Sequence, residues 1–380
     1  MLRYNFVGSL ALVALAAAFA VPADAAPVSD CPLRDAPFST ASPLIDILLN
    51  PQARAIVDRE LGGRLSQMPP VFMGTEPPTF AAILTPREAG RFVQVDDAGL
   101  ARLDTALRPL PVTDADKVAR CARYDNDPLA VSLPPGRPRV LLFEKINGYR
   151  DGPSVDAAHA AVLAMARRKG WTLVTTERGG AFTPETLGQF DVVLWNNISG
   201  DVLSLAQREA FKSYIERGGA FVGVHGTAGD PVYFWDWYAD TLIGARFAGH
   251  PMAPQFQDAR IVIEGKRHPA ARRLPAEWVM NDEWYSFKSS PRAAGATVIA
   301  RLDESSYKPD GMMGQNLRMG ADHPLAWSKC IGKGRMFYSA IGHRPETYSD
   351  PRYVAMLEDA IAWAAARGDC VPGQAAAAGK

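Results

Sequence analysis

The sequence lacks an excess of either charge: 41 Lys and Arg residues face 41 Asp and Glu residues over 380 positions. No basic run or stripe stands out, which argues against a nucleic-acid-binding surface and favours a small, neutral or weakly charged ligand. Cysteine is scarce as well. The four residues Cys31, Cys121, Cys330 and Cys370 form no CxxC pair, so disulfides explain them better than a cysteine-based metal site. Beyond the first 25 residues no apolar run is long enough to span a bilayer.

Those first residues do carry a pattern. Arg3 precedes an apolar stretch from Phe6 to Val21, and Ala23-Asp24-Ala25 is a small-residue exit, as in a secretory signal peptide over residues 1–25. The competing reading, a single membrane anchor, is disfavoured by the short run and by Pro22. The mature chain is therefore expected in the periplasm or outside the cell, with no membrane association after cleavage. In that oxidising compartment, of three possible pairings, Cys31 with Cys121 and Cys330 with Cys370 best respects the module boundary described next.

Residues 31–127 read as a small helical module: short apolar-periodic stretches such as Leu44-Ile45-Ile47-Leu48 alternate with proline-containing loops. A linker follows over 128–138, marked by Pro134-Pro135-Gly136. From there the rhythm becomes strand, helix, strand. Apolar runs at Arg139–Phe143, Thr172–Thr176, Asp191–Trp195 and Ala220–Val224 suit buried parallel strands. Between them lie helices, one capped by Ser154 and one opened by a Ser204/Gln207 capping box. A β-rich insertion is expected over about 260–301, a returning strand over Gly334–Ile341, and a last helix opened by Asp350 and Pro351. Repeated βα units of this kind imply a doubly wound parallel α/β sheet that binds ligands beyond the carboxyl ends of its strands. Residues 370–380 read as a low-complexity, disordered tail.

Four places put an ionisable side chain just after a regular element: His225 in Gly223-Val224-His225-Gly226, His250 in Gly249-His250-Pro251, Glu283 in Asn281-Asp282-Glu283-Trp284-Tyr285, and His343 after Gly342. Imidazole and carboxylate serve as general acid, general base or metal ligand. Each histidine taken alone is as readily a satisfied loop residue. His268 and His323 sit in His-Pro pairs and His159 in a helix, and carry less weight. Aromatic residues Trp235, Trp237, Trp284 and Tyr285 can wall a sugar ring or simply roof the sheet, and Arg150, Asn196 and Asn197 at strand ends can bind hydroxyls.

Residues 139–369 resemble the ThuA-like (trehalose-utilisation) family, a branch of the class I glutamine amidotransferase-like, flavodoxin-like fold. The resemblance is carried in order by "NGYRDGPS", "FDVVLWNNISG", "GGAFVGVHG", "FAGHP", "NDEWYSF", "GADHPLAW" and "GKGRMFYSAIGHRPETY". It implies a domain of carbohydrate catabolism. The elbow that presents a nucleophilic cysteine in amidotransferases holds His225 here, so thiol chemistry is excluded at that place. Where members of the family commonly have GFRH, this chain has Gly148-Tyr149-Arg150-Asp151, and Asp151 stands in for an imidazole.

The resulting expectation is an exported enzyme that processes a sugar or a 3-keto-glycoside with His225, Glu283, His250 and His343 as catalytic groups. Arg150, Asp151, Asn196, Asn197, Trp235, Trp237, Trp284 and Tyr285 would bind substrate, and His225, His250 and His343 could hold a divalent metal such as zinc. The alternative is a sugar-binding protein that catalyses nothing.

Overall fold

The computed structural model describes residues 26–366 and 368–370. The expected signal peptide, and the expected tail apart from its first residue, lie outside the described residues.

The N-terminal region is helical, as the periodicity predicts: α1 (Leu44–Leu49), α2 (Pro51–Glu60), α3 (Pro86–Phe92), α4 (Asp97–Leu107) and α5 (Asp114–Cys121). Polar caps start four of them. Asn50, Thr85 and Asp96 each accept from a first-turn N–H, and Thr113 with Asp116 forms a capping box. Leu44, Ile47, Val57, Leu65, Leu103 and Leu107 are fully buried in a core of their own. A buried ion pair at 2.6 Å joins Asp46 of α1 to Arg123 just past α5, and a disulfide joins Cys31 to Cys121.

The rest is an α/β unit with the strands β1 (Arg139–Phe143), β2 (Thr172–Thr176), β3 (Val192–Asn196), β4 (Ala220–Val224), β5 (Phe247–Gly249), β6 (Phe256–Ile263), β7 (Glu277–Glu283), β8 (Ser286–Phe287), β9 (Thr297–Asp303), β10 (Pro324–Ile331) and β11 (Gly334–Ser339). Its helices are α6 (Gly152–Lys169), α7 (Pro184–Leu187), α8 (Leu205–Glu216) and α9 (Pro351–Ala364). Nine strands form one sheet in the order β2-β1-β3-β4-β11-β10-β9-β6-β7, while β5 and β8 pair separately.

The first five strands of that order are parallel and the remaining pairings antiparallel. Val140 to Phe143 are wholly buried, as expected of a strand covered on both faces. On one face Trp195 and Phe221 pack against Phe211 of α8; on the other, Asn196 reaches the Val155 carbonyl of α6.

Two expectations change in detail. The cap of α6 is Asp151, whose carboxylate accepts from the Ser154 N–H at 3.1 Å, and Ser154 lies inside the first turn. The β-rich stretch is not an insertion: β6, β7 and β9 extend the main sheet, because β10, unmarked by any alternation in sequence, bridges them to β11. A π-helical turn spans Trp237–Ile243. The paired cysteines are those the module boundary suggested, the second pair being Cys330 and Cys370.

The linker is not free. Leu129, Val131 and Leu133 pack on the main core, and the Thr172 hydroxyl donates to the Pro134 carbonyl at 3.1 Å. The helical region is tied down as well: the Leu205 N–H donates to the Asp30 carbonyl at 3.0 Å, the Thr79 N–H to the Asn147 carbonyl at 3.0 Å, and the Tyr124 hydroxyl to Asp201 at 3.1 Å.

Candidate active site

Strand β4 runs into a sharp elbow at His225, which adopts φ 39°, a left-handed value that a branched or bulky side chain rarely takes. The elbow is possible because Gly223 has no side chain: a Cβ there would lie 2.9 Å from the Thr227 methyl. Two anchors hold the imidazole. Its Nδ1 donates to the Ala340 carbonyl at 2.8 Å, and its ring stacks on Tyr285 at 4.2 Å. With Nδ1 turned to that carbonyl, Nε2 is the ring nitrogen that points onward.

It points at two groups. His343 Nδ1 lies 3.1 Å away and Glu283 Oε2 3.3 Å away, and those two atoms are 3.0 Å from each other. His343 follows β11 and Glu283 ends β7, so the parallel and antiparallel halves of the sheet meet at this triangle. The other carboxylate oxygen, Oε1, accepts from the Gln255 amide at 2.5 Å and lies 3.1 Å from His250 Nδ1. That Nδ1 also donates to the Pro251 carbonyl at 2.9 Å. Nε2 of His250, which has no hydrogen-bond partner among the described residues, is the nitrogen left for chemistry.

Burial opposes the charge of Glu283, but hydrogen bonds with His225 and His343 and the nearby His250 outweigh it and hold the carboxyl well below the usual range. For His343 burial works against protonation, and Glu283 more than reverses it, so its affinity for a proton is raised. The four groups singled out in the sequence therefore converge. They line a cavity of about 510 Å³, within the size range of small-molecule sites.

The other expected residues divide. Asp151, Asn197 and Tyr285 line the cavity. Asn197, itself at φ 53°, accepts from the Gly226 N–H at 3.2 Å and so braces the elbow. Asn196 is fully buried, with its amide spent on Glu144 and the Val155 carbonyl. Arg150 points outward to Asp156. Trp284 has no exposed surface, and its indole N–H donates to the Gln257 carbonyl at 2.8 Å. Trp235 and Trp237 pack on each other beneath Arg208, away from the cavity. Trp284 is core, and Trp235 and Trp237 are partly buried against the core, because large rings near strand ends are covered more readily than exposed. His268 caps a helical turn, and His323 bridges Glu304 and the Tyr285 carbonyl.

Sequence reasoning passed over two carboxylates. Asp282, wholly buried beside Glu283, accepts from the N–H groups of Glu283, Gly342, His343 and Arg344 and from the Thr347 hydroxyl, at 2.8–3.1 Å. It thereby fixes the loop that carries His343; its place next to Glu283 in the motif was the only signal. Asp230 accepts from the Ser199 hydroxyl at 2.6 Å and the Gly200 N–H at 2.7 Å on the cavity floor, and burial pushes its carboxyl up to about 7.

A match to the family described as trehalose utilisation, ThuA, spans residues 139–364. The chain belongs to the ThuA family. A solved ThuA-like protein from Bacteroides uniformis is 25% identical with a TM-score of 0.52, the match covering 62% of this chain and 94% of that one. A second, from Parabacteroides merdae, is 14% identical at a TM-score of 0.46 over 60% and 89% of the two chains. No curated protein matches the sequence. In this ThuA-family chain the helical region lies outside the matched residues, yet Phe72, Phe80, Ile83, Leu84 and Phe92 line the same cavity.

Two outcomes follow from the buried carboxylates. Asp282→Asn turns amide hydrogens toward backbone donors and should cost roughly 1–3 kcal/mol, with faster hydrogen exchange confined to residues 342–347; uniform exchange would remove Asp282 as the loop's anchor. Because the Asp230 carboxyl is raised from 3.8 to about 7 in the fold, its stabilising share is complete below about pH 4 and is lost as pH rises to about 7. The melting temperature of the wild type should fall relative to Asp230→Asn across that window. A difference independent of pH would contradict it.

Proposed function

We propose that this protein is an exported enzyme acting on a sugar or an oxidised 3-keto-glycoside, with His225, His343 and Glu283 as ligands to a divalent metal and His250 as the proton carrier. The observation that carries the reading is the triangle of His225 Nε2, His343 Nδ1 and Glu283 Oε2, with edges of 3.0, 3.1 and 3.3 Å. These three residues can offer one ligand atom each to a common ion. Ligand atoms held about 2.0–2.1 Å from a tetrahedral zinc stand about 3.3–3.4 Å apart, so the triangle has the size of one face of such a site.

The donor set fits in two further respects. His225 donates its second ring nitrogen to a backbone carbonyl, the outer bond that commonly orients a metal-bound imidazole. Glu283 is held as a carboxylate, as a ligand must be. His250 meets only the opposite carboxylate oxygen, so among the three histidines expected as ligands it is the one offset from the triangle. A bound divalent ion would supply a Lewis acid for a carbonyl or hydroxyl oxygen of the substrate.

His250 has the geometry of a base. Its Nδ1 proton is tied to Pro251 and Glu283, which orients the ring and leaves Nε2 free to take a proton. In a 3-keto-glycoside the C2 hydrogen is acidified by the ketone. His250 would remove it; the electron pair forms the C1–C2 double bond as the C1–O bond breaks. The departing oxygen takes the proton from His250, which closes the balance: one 3-keto-glycoside gives an unsaturated keto-sugar and an alcohol. Export is supported by the two disulfides and by the N-terminal sequence pattern. No helix among the described residues is long and apolar enough to cross a membrane.

Elemental analysis of the purified protein should find about one divalent metal per chain, lost in a His225→Ala, His343→Ala double variant. Absence of metal from wild type that has been incubated with zinc would leave only the acid–base part of the reading. With a 3-keto-glucoside as substrate, His250→Ala should lower kcat by about 10²–10⁴-fold while metal content stays unchanged. Undiminished turnover in that variant would remove His250 from the chemistry, and wild-type binding of the sugar without product would make the protein a binder.

A further inference from the structure

We propose that the N-terminal helical region builds the second half of the substrate pocket and selects glycosides that carry an apolar, aromatic aglycone. This rests on the reading of the His250–Glu283 end as a sugar site and names the rest of its substrate.

The cavity is polarised. Its ionisable lining residues, Asp151, Asp230, Glu283 and the three histidines, all come from the family-matched part of the chain. Much of its apolar lining, Phe72, Phe80, Ile83, Leu84 and Phe92, lies outside the matched residues and joins Phe247, Met252 and Met312 from within them. Among the described residues no Lys or Arg lines the cavity. A ligand that fills both ends has to be polar at one and apolar at the other.

The two ends are joined by rings. Phe72 lies 5.1 Å from Phe80, Phe80 stacks on Tyr149 at 4.8 Å, and Tyr149 lies 6.5 Å from the His343 ring. A flat ring lying along this ladder would leave a sugar attached to it beside the triangle. The wall also leaves apolar area in water that a ligand would cover. Phe92 and Tyr149 are each 41% exposed, and Met252 and Met312, on the same rim, 41% and 42%. Four large apolar side chains exposed around one mouth mark a binding surface better than scattered ones do.

The wall is fixed in place. A Cβ on Gly148 would lie 2.6 Å from the Ile83 side chain, and the Thr79 N–H donates to the Asn147 carbonyl at 3.0 Å, so the helical region is seated against the first loop of the family fold. The apolar half of the pocket is therefore preformed, which suits selection of a rigid aromatic group.

Isothermal titration of the full chain with phenyl β-glucoside, methyl β-glucoside and 4-nitrophenol tests this. The phenyl glucoside should bind about tenfold more tightly than the methyl glucoside. Phe80→Ala and, separately, Phe92→Ala should bring that ratio toward one while changing methyl glucoside affinity less than about twofold. Phe92 is part-exposed, so its truncation reads the contact even where Phe80→Ala disturbs folding. Equal binding of both glucosides by the wild type, or a ratio unchanged in a folded variant, overturns the aglycone subsite and leaves the sugar reading standing. Binding of 4-nitrophenol that depends on Phe80 and Phe92, with neither glucoside bound, overturns the sugar reading and leaves an apolar pocket. Binding of none of the three overturns both.

Discussion

The carboxylate of Asp282, buried at the end of β7, gathers five donors: the N–H groups of Glu283, Gly342, His343 and Arg344 and the hydroxyl of Thr347. Burial raises its proton affinity, and the donors work against that rise. The last strand of the antiparallel half of the sheet is in this way locked to the loop that leaves the last strand of the parallel half. Glu283 and His343 each adjoin this lock, which is why their side chains can stand 3.0 Å apart although the strands carrying them are separated by β10, β9 and β6. An unpaired charge in this place would be costly, and a satisfied one is a rigid joint.

His225 reaches the same point from a different direction. Its strained backbone at φ 39° is held by the strands on either side of β4, by Asn197 below the elbow and by the Tyr285 ring above it. Tyr285 is placed in turn by His323, which donates to its carbonyl. The elbow that in amidotransferase-like folds serves a cysteine thus presents an imidazole nitrogen to a carboxylate and a second imidazole. Such a trio is suited to holding a cation or moving a proton, and not to forming an acyl-enzyme.

The helical region changes the surroundings of this chemistry. It has a core cluster and a disulfide of its own, and the hydrogen bonds through Asp30, Thr79 and Tyr124 seat it across the strand ends where an α/β sheet binds ligands. Its phenylalanines add apolar lining to the cavity that holds the ionisable groups.

Much of this was readable from the chain. The helix and strand runs from Arg139 to Val224 obey 3.6- and 2-residue or continuous-apolar patterns, and the Ser204/Gln207 and Asp350-Pro351 starts are local signals that the structure keeps. The His225, His250, Glu283 and His343 motifs were visible because each sits just past a regular element. The misses have local causes. Trp235, Trp237 and Trp284 looked like a sugar wall because an aromatic residue carries no local mark of whether its ring is covered; Ser154 looked like a cap because Asp151, three residues earlier, serves equally well.

Strand β10 and the five donors of Asp282 depend on pairings between distant segments. His225 and His343 are 118 residues apart in sequence and 3.1 Å apart in space. Capping bonds and apolar periodicity act over three or four residues, so the sequence by itself determined most of the elements, their order and the family. Which imidazoles share one carboxylate, which rings face the cavity, and that a helical region outside the family fold closes it were decided by tertiary structure, because long-range packing alone brings those groups within bonding distance.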